Sequence, residues 1–225
     1  MQLFGQVGAP SQSLGVGSTN VPFRQGQLGD MVVSELNGRF YEQAYRGNLY
    51  SAGTLAVNAL SANTITLTAT ATPILGVWNP STSTANLVIL QASLQCFINS
   101  LTSGAGPGAF VWAWSVGNTA ISTGTTPINR KTLTAAGSQA KGLVNTALTG
   151  LTNNLVIYEG ADLQAPAGVT YTTIGSTSVS IPIGGVQNFD GSIIVPPGGV
   201  LALLNTTSCT TFSVVGRLLW EEVPL

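Results

Sequence analysis

Apolar and polar residues alternate in runs along most of this chain. In NTITLTATAT, residues 63–72, Ile65 and Leu67 alternate with threonines, and NLVILQASLQCF at 86–97 and FVWAWSV at 110–116 carry the same signal. A period of two sends successive side chains to opposite faces of a strand, and each run is bounded by turn formers such as Asn79-Pro80-Ser81. Further runs lie at 155–158, 178–183, 192–195, 199–204 and 211–222. In SIIVPPGGVLALLN the block from Pro196 to Gly199 must interrupt the ladder, because proline donates no backbone hydrogen bond and glycine tolerates positive φ. About ten short strands with no helix in the body predict an all-β fold, a jelly-roll-like antiparallel β-sandwich over residues 51–225.

The first fifty residues differ in character. Arg24, Asp30, Glu35, Arg39, Glu42 and Arg46 fall there, and no charged residue follows from Ser51 to Asn129. Residues 1–29 are rich in Gly, Ser and Gln with few apolar anchors, which predicts an extended N-terminal arm. Such an arm becomes ordered by docking on a neighbouring subunit, or by folding back over its own sandwich. Asn37-Gly38, between MVVSEL and RFYEQAY, predicts a type I′ hairpin turn; a short helix over 38–45 is the alternative. Residues 1–50 therefore read as an arm and hairpin that make assembly contacts. Their candidate interface residues are Phe4, Phe23, Arg24, Arg39, Tyr41, Tyr45 and Arg46. Segment 117–154, rich in Thr, Ser, Ala and Gly and carrying Arg130, Lys131 and Lys141, reads as long loops. No repeat of fixed period and no heptad pattern is present.

Composition sharpens this picture. Charged residues are 7% of the 225, against about 25% in an ordinary soluble domain, while hydrophobic residues are 44%. A surface of hydroxyls and amides is buried against another protein at lower desolvation cost than one of Lys and Glu. With a net charge of −1 and scattered basic residues, the chain has no electrostatic footprint for DNA or RNA. No apolar run approaches the length of a bilayer span, and MQLFGQVGAPSQSLG lacks the basic and apolar regions of a secretory signal. The expectation is synthesis in the cytoplasm without export. Cys96 and Cys209 are read as two reduced thiols, a disulfide between them being the alternative.

The search for chemistry is mostly negative. There are no histidines, which removes the Ser-His-Asp and Cys-His systems and the usual catalytic zinc sites. A glycosidase would need two facing carboxyl groups, and the body offers only Glu159, Asp162, Asp190, Glu221 and Glu222. Glu221 and Glu222 could form half a calcium site, yet successive strand residues point to opposite faces; a solvated strand end or an ion pair to an arm arginine fits better. GAGPGAF at 104–110 lacks the Lys-Ser/Thr and the helix of a phosphate loop. Trp112 and Trp114 share a strand face with Phe110, either as core or, facing outward, as an interface or a sugar-stacking platform. Trp78 and Trp220 read as core or rim. No enzyme activity, cofactor or metal is expected.

The segments RFYEQAYRGNLYSAG, VPPGGVLALLN and LLWEEVP resemble those of structural β-sandwich proteins of tailed bacteriophages. The resemblance covers about residues 35–60 and 190–225 and carries no catalytic signature. It implies a virion protein that assembles as a homo-oligomer, commonly a trimer, with arms laced between subunits, and that docks on other virion proteins such as the major capsid protein. The long spine helix of a tailed-phage major capsid protein is missing from the sequence. A capsid decoration, head-associated or tail component is therefore the expectation, with a receptor-binding module for host glycans as the alternative.

Overall fold

The computed structural model describes residues 39–54, 71–98, 109–121, 124–145, 147–161, 183–208 and 212–225, with the strand backbone at 5–6 and 23–24. Two compact units divide the chain, residues 1–42 and 43–225. In the first, β1 (Gly5–Gln6) and β2 (Phe23–Arg24) pair in parallel.

A helix, α1 (Tyr41–Arg46), stands where the sequence predicts the second strand of a hairpin, so the hairpin is corrected to the helical alternative. The physical reason lies at its end. Gly47 adopts φ 83°, its N–H donates to Ala44 O, and the Asn48 N–H donates to Gln43 O, both at 3.1 Å. That pair of bonds is a Schellman stop, which needs a left-handed residue after the last turn, and Arg46 places a cation at the C-terminal end of the helix dipole. The Asn37-Gly38 turn lies outside the described residues.

Ten strands follow: β3 (Leu49–Gly53), β4 (Leu75–Trp78), β5 (Ala85–Ile98), β6 (Phe110–Ser115), β7 (Ile128–Asn129), β8 (Lys141–Leu143), β9 (Val156–Gly160), β10 (Ile183–Val195), β11 (Val200–Asn205) and β12 (Phe212–Pro224). They form two antiparallel five-stranded sheets, ordered β10-β5-β12-β3-β7 and β8-β4-β11-β6-β9. The expected all-β sandwich is present. Its long strands exceed the short ones expected: β5, β10 and β12 run for 14, 13 and 13 residues because a bulge in each ladder lets the strand bend without ending. The predicted strands at 63–72 and 178–183 lie almost wholly outside the described residues. Pairing is nested: β3 bonds to β12, β4 to β11, β5 to β10 and β6 to β9.

Leu75, Val77, Trp112, Leu201 and Leu203 of one sheet pack against Leu87, Ile89, Leu94, Leu218 and Trp220 of the other. A second core covers the outer face of the β11 sheet, where Val200, Ala202, Leu204 and Ala113 meet Ile121, Leu148, Leu151 and Leu155. Most of the described part of segment 117–154 is irregular, as read from the sequence, with short strands only at β7 and β8, but Ile121, Leu148 and Leu151 within it cover part of that outer face. Its apolar residues are too widely spaced to show a period, yet each leucine buried there contributes roughly 1.5–3 kcal/mol. Burial on both faces also explains why VLALLN reads as a continuous apolar run, since all six residues of β11 are buried.

Buried amides tie the turns at one end of the sandwich. Asn79 Nδ2 donates to Ala85 O (2.8 Å) and Val195 O (3.0 Å). Asn118 Nδ2 donates to Ser115 Oγ (3.1 Å) and Gly198 O (3.2 Å), while its Oδ1 accepts from the Thr152 and Asn153 N–H groups at 2.9 and 3.3 Å. The turn from Pro196 to Gly199 that joins β10 to β11 is gripped by the Asn118 amide and by the Asn79 backbone, whose N–H donates to Gly199 O at 2.9 Å and whose carbonyl accepts from the Gly198 N–H at 2.8 Å. Asn118→Ala is expected to lower stability by about 1–3 kcal/mol with an unchanged urea m-value, because buried polar partners lose their bonds. Urea titration followed by tryptophan fluorescence checks this; a loss below about 0.5 kcal/mol removes the amide's role as a clamp.

Candidate assembly surface

Along β12 the side chains alternate: Leu218 and Trp220 point into the core, and Arg217, Leu219 and Glu221 point to the outer face. Arg217 is partly buried, and burial, with Arg130 nearby, holds its guanidinium pKa below the usual value. Its Nη2 lies 3.5 Å from Gln91 Oε1. Beside it Ser93, Leu94, Gln95, Val215 and Gly216 line a shallow depression of about 300 Å³. Burial pushes the Glu221 carboxyl up, with Arg46 opposing.

The β3-β7 edge of the same sheet collects cations. Arg130 N–H donates to Leu49 O at 2.8 Å, and Lys131 Nζ lies 5.2 Å from the centroid of the Tyr45 ring. Asn129 builds this turn: its Oδ1 accepts from the Lys131 and Thr132 N–H groups at 2.9 and 3.3 Å, and its Nδ2 donates to Gly47 O at 2.8 Å. Leu133 closes the turn with φ 57° and an N–H bond to Asn129 O, and its side chain is exposed. A leucine held in the left-handed region costs about 1–2 kcal/mol, so the turn is over-determined by its hydrogen bonds.

At the opposite edge β10 bulges between Asn188 and Ile193. Phe189 turns inward to meet Trp112 edge to face at 5.5 Å, while Asp190 and Gly191, at φ 54° and 82°, turn through the bulge with Asp190 exposed. Val186 and Ile194 flank the bulge as exposed apolar side chains. On the other sheet, the edge strand β9 exposes Val156, Ile157 and Tyr158.

The aromatic stripe divides. Trp112 is 0% exposed and lies in the core with Phe110, whereas Trp114, at the strand end, is 41% exposed. Trp112 is thus corrected from a possible stacking platform to a core residue: the facing sheet covers it, and its Nε1 donates to Gln187 Oε1 at 2.9 Å. Gln187 Nε2 in turn donates to Glu159 Oε1 at 3.0 Å, which ties the two sheets together. Glu222 faces inward and accepts from Ser138 Oγ and, at 3.3 Å, from the Gln139 N–H. Glu221 and Glu222 therefore lie on opposite faces of β12 and do not act as a pair. Among the described residues no group of three or more Cys, Asp or Glu stands together as metal ligands, and no helix is long and apolar enough to cross a membrane. Cys96 is buried in the core, and Cys209 lies outside the described residues.

No protein-family model, curated protein or solved structure matches this chain. The surface must be read from its own residues. Of those the sequence singles out, Phe4 and the side chains of Phe23 and Arg24 lie outside the description. Arg39 stacks over the Phe40 ring at 5.4 Å, and Tyr41 is exposed. Tyr45 and Arg46 join Arg130, Lys131, Arg217 and Glu221 in one charged region. The last four come from distant parts of the sequence and give no local signal of this meeting; only the sparseness of charge along the chain hints that such residues are placed with purpose.

Because its pKa is raised, Glu221 stabilises the folded state fully only below its ordinary value of 4.5 and loses that contribution as pH rises through the folded value. Glu221→Gln should therefore raise the unfolding midpoint at pH 7 and leave it unchanged at pH 4, as read by thermal unfolding at the two pH values. A lower midpoint at pH 7 would mean that the contact with Arg46 outweighs desolvation.

Proposed function

We propose that this chain is a structural virion component of a bacteriophage, a capsid decoration or head-associated protein, built on a jelly roll and acting by assembly with copies of itself and with other virion proteins. The observation that carries the fold part is the nested pairing of β3 with β12, β4 with β11, β5 with β10 and β6 with β9, the pattern of one long antiparallel ribbon rolled into two facing sheets. From fold to virion the step is one of analogy, supported by the resemblance of RFYEQAYRGNLYSAG, VPPGGVLALLN and LLWEEVP to phage structural proteins.

Surface chemistry supports the assembly part. Large apolar side chains are exposed on α1, edge strands and turns, among them Tyr45, Leu133, Val156, Tyr158 and Ile194, in a chain with only 15 charged residues to keep it apart from its neighbours. Glycan binding loses its main support with Trp112 in the core. Trp114 and Tyr158 remain exposed.

Deletion of residues 1–29 tests the role of the N-terminal segment. The truncated chain should keep the cooperative unfolding of residues 43–225 yet fall in oligomeric mass and fail to enter particles, as read by light scattering and by mass spectrometry of purified virions. Normal incorporation excludes the segment as the fastener. A full-length chain that is monomeric and absent from particles sinks the whole reading.

A further inference from the structure

The two edges of the β10-β5-β12-β3-β7 sheet carry opposite charge. At the β3-β7 edge stand Arg46, Arg130 and Lys131, with Arg217 beside them on β12 and Glu221 as the acid among them. At the other edge β10 and its neighbour β5 contain no cation, and their single charge is Asp190, exposed in the bulge. Both displays are held in place. Asp190 and Gly191 share a left-handed turn anchored by Phe189 in the core, and Arg130 and Lys131 sit on a turn whose backbone Asn129 binds. Each edge also offers exposed apolar side chains, Val186 and Ile194 on β10, and Ile128, Leu133 and Tyr45 at the far side.

We infer that copies of this chain associate head to tail, the Asp190 edge of one copy docking against the Arg130-Lys131 turn of the next. This rests on the assembly reading above and names its surfaces. Charge decides the occupant and the symmetry. A two-fold contact through either edge would set two edges of the same sign side by side, whereas a head-to-tail contact sets opposite signs together. The 13 residues of β10 extend for roughly 40 Å at the rise of a strand, long enough for an interface of the usual specific size. A heterologous contact of this kind closes a ring if the rotation between copies permits.

The test is a charge swap on the full-length chain, with mass read by light scattering across a concentration series. Arg130→Glu combined with Lys131→Glu should weaken self-association at least about tenfold, and Asp190→Asn, which keeps a residue tolerant of the left-handed conformation, should weaken it in the same direction. Adding Asp190→Arg to the Arg130→Glu, Lys131→Glu chain should restore the wild-type mass, and Lys141→Glu, on the other sheet, should change nothing. Circular dichroism establishes that each variant is folded. If the cation reversals leave the mass unchanged, or if the folded swap variant stays dissociated, the head-to-tail contact is wrong while self-association stands. A wild-type chain that remains monomeric throughout overturns both.

Discussion

The ladder between β12 and β5 is the constraint on which the rest of the molecule depends. It pairs 13 positions from Phe212 to Pro224, runs down the middle of one sheet, and fixes the alternation of the terminal strand. With that register set, Leu218 and Trp220 fill the core while Arg217 and Glu221 face outward, and Glu222 turns in to hold residues 138 and 139. A slip by one residue would exchange these faces, placing a guanidinium and a carboxylate among Leu87, Ile89 and Trp112. Burying them unpaired is far costlier than any gain available, so the register is specified strongly.

A chain with so few charges needs other means to join its parts, and buried asparagines supply them. Asn79 and Asn118 bind the β10-β11 turn from two sides, and Asn129 joins the cation turn to Gly47 after α1. An amide both donates and accepts, and it carries no charge whose hydration must be stripped on burial. Gln187 acts similarly at the open side of the sandwich, receiving the Trp112 indole N–H and donating to Glu159. Most of the charges that remain are thereby left for the surface.

The second core on the outer face of the β11 sheet gives this sandwich its asymmetry. One sheet packs its inner face against the other sheet and part of its outer face against the segment between β6 and β9, so β11 is buried along its whole length; the other sheet bears Arg217, Glu221 and the depression beside them on its outer face.

Strand alternation, turn residues and the scarcity of charge determined the all-β class, the strands β5, β6, β9, β11 and β12, and the absence of histidine chemistry, because these follow from local periodicity and from residue types alone. The same sequence contained the stop signal of α1 in Arg46-Gly47, which the stronger-looking Asn37-Gly38 turn obscured. Only tertiary structure decided that Trp112 is core while Trp114 is exposed, since both share a strand face and differ in what the facing sheet covers. It alone packed Ile121, Leu148 and Leu151 on the outer face of the β11 sheet, and it alone brought Arg46, Arg130, Arg217 and Glu221 together from positions up to 175 apart in the chain. Such meetings depend on the order of strands in the sheet, which is set by long-range pairing and leaves no trace in any short window of sequence.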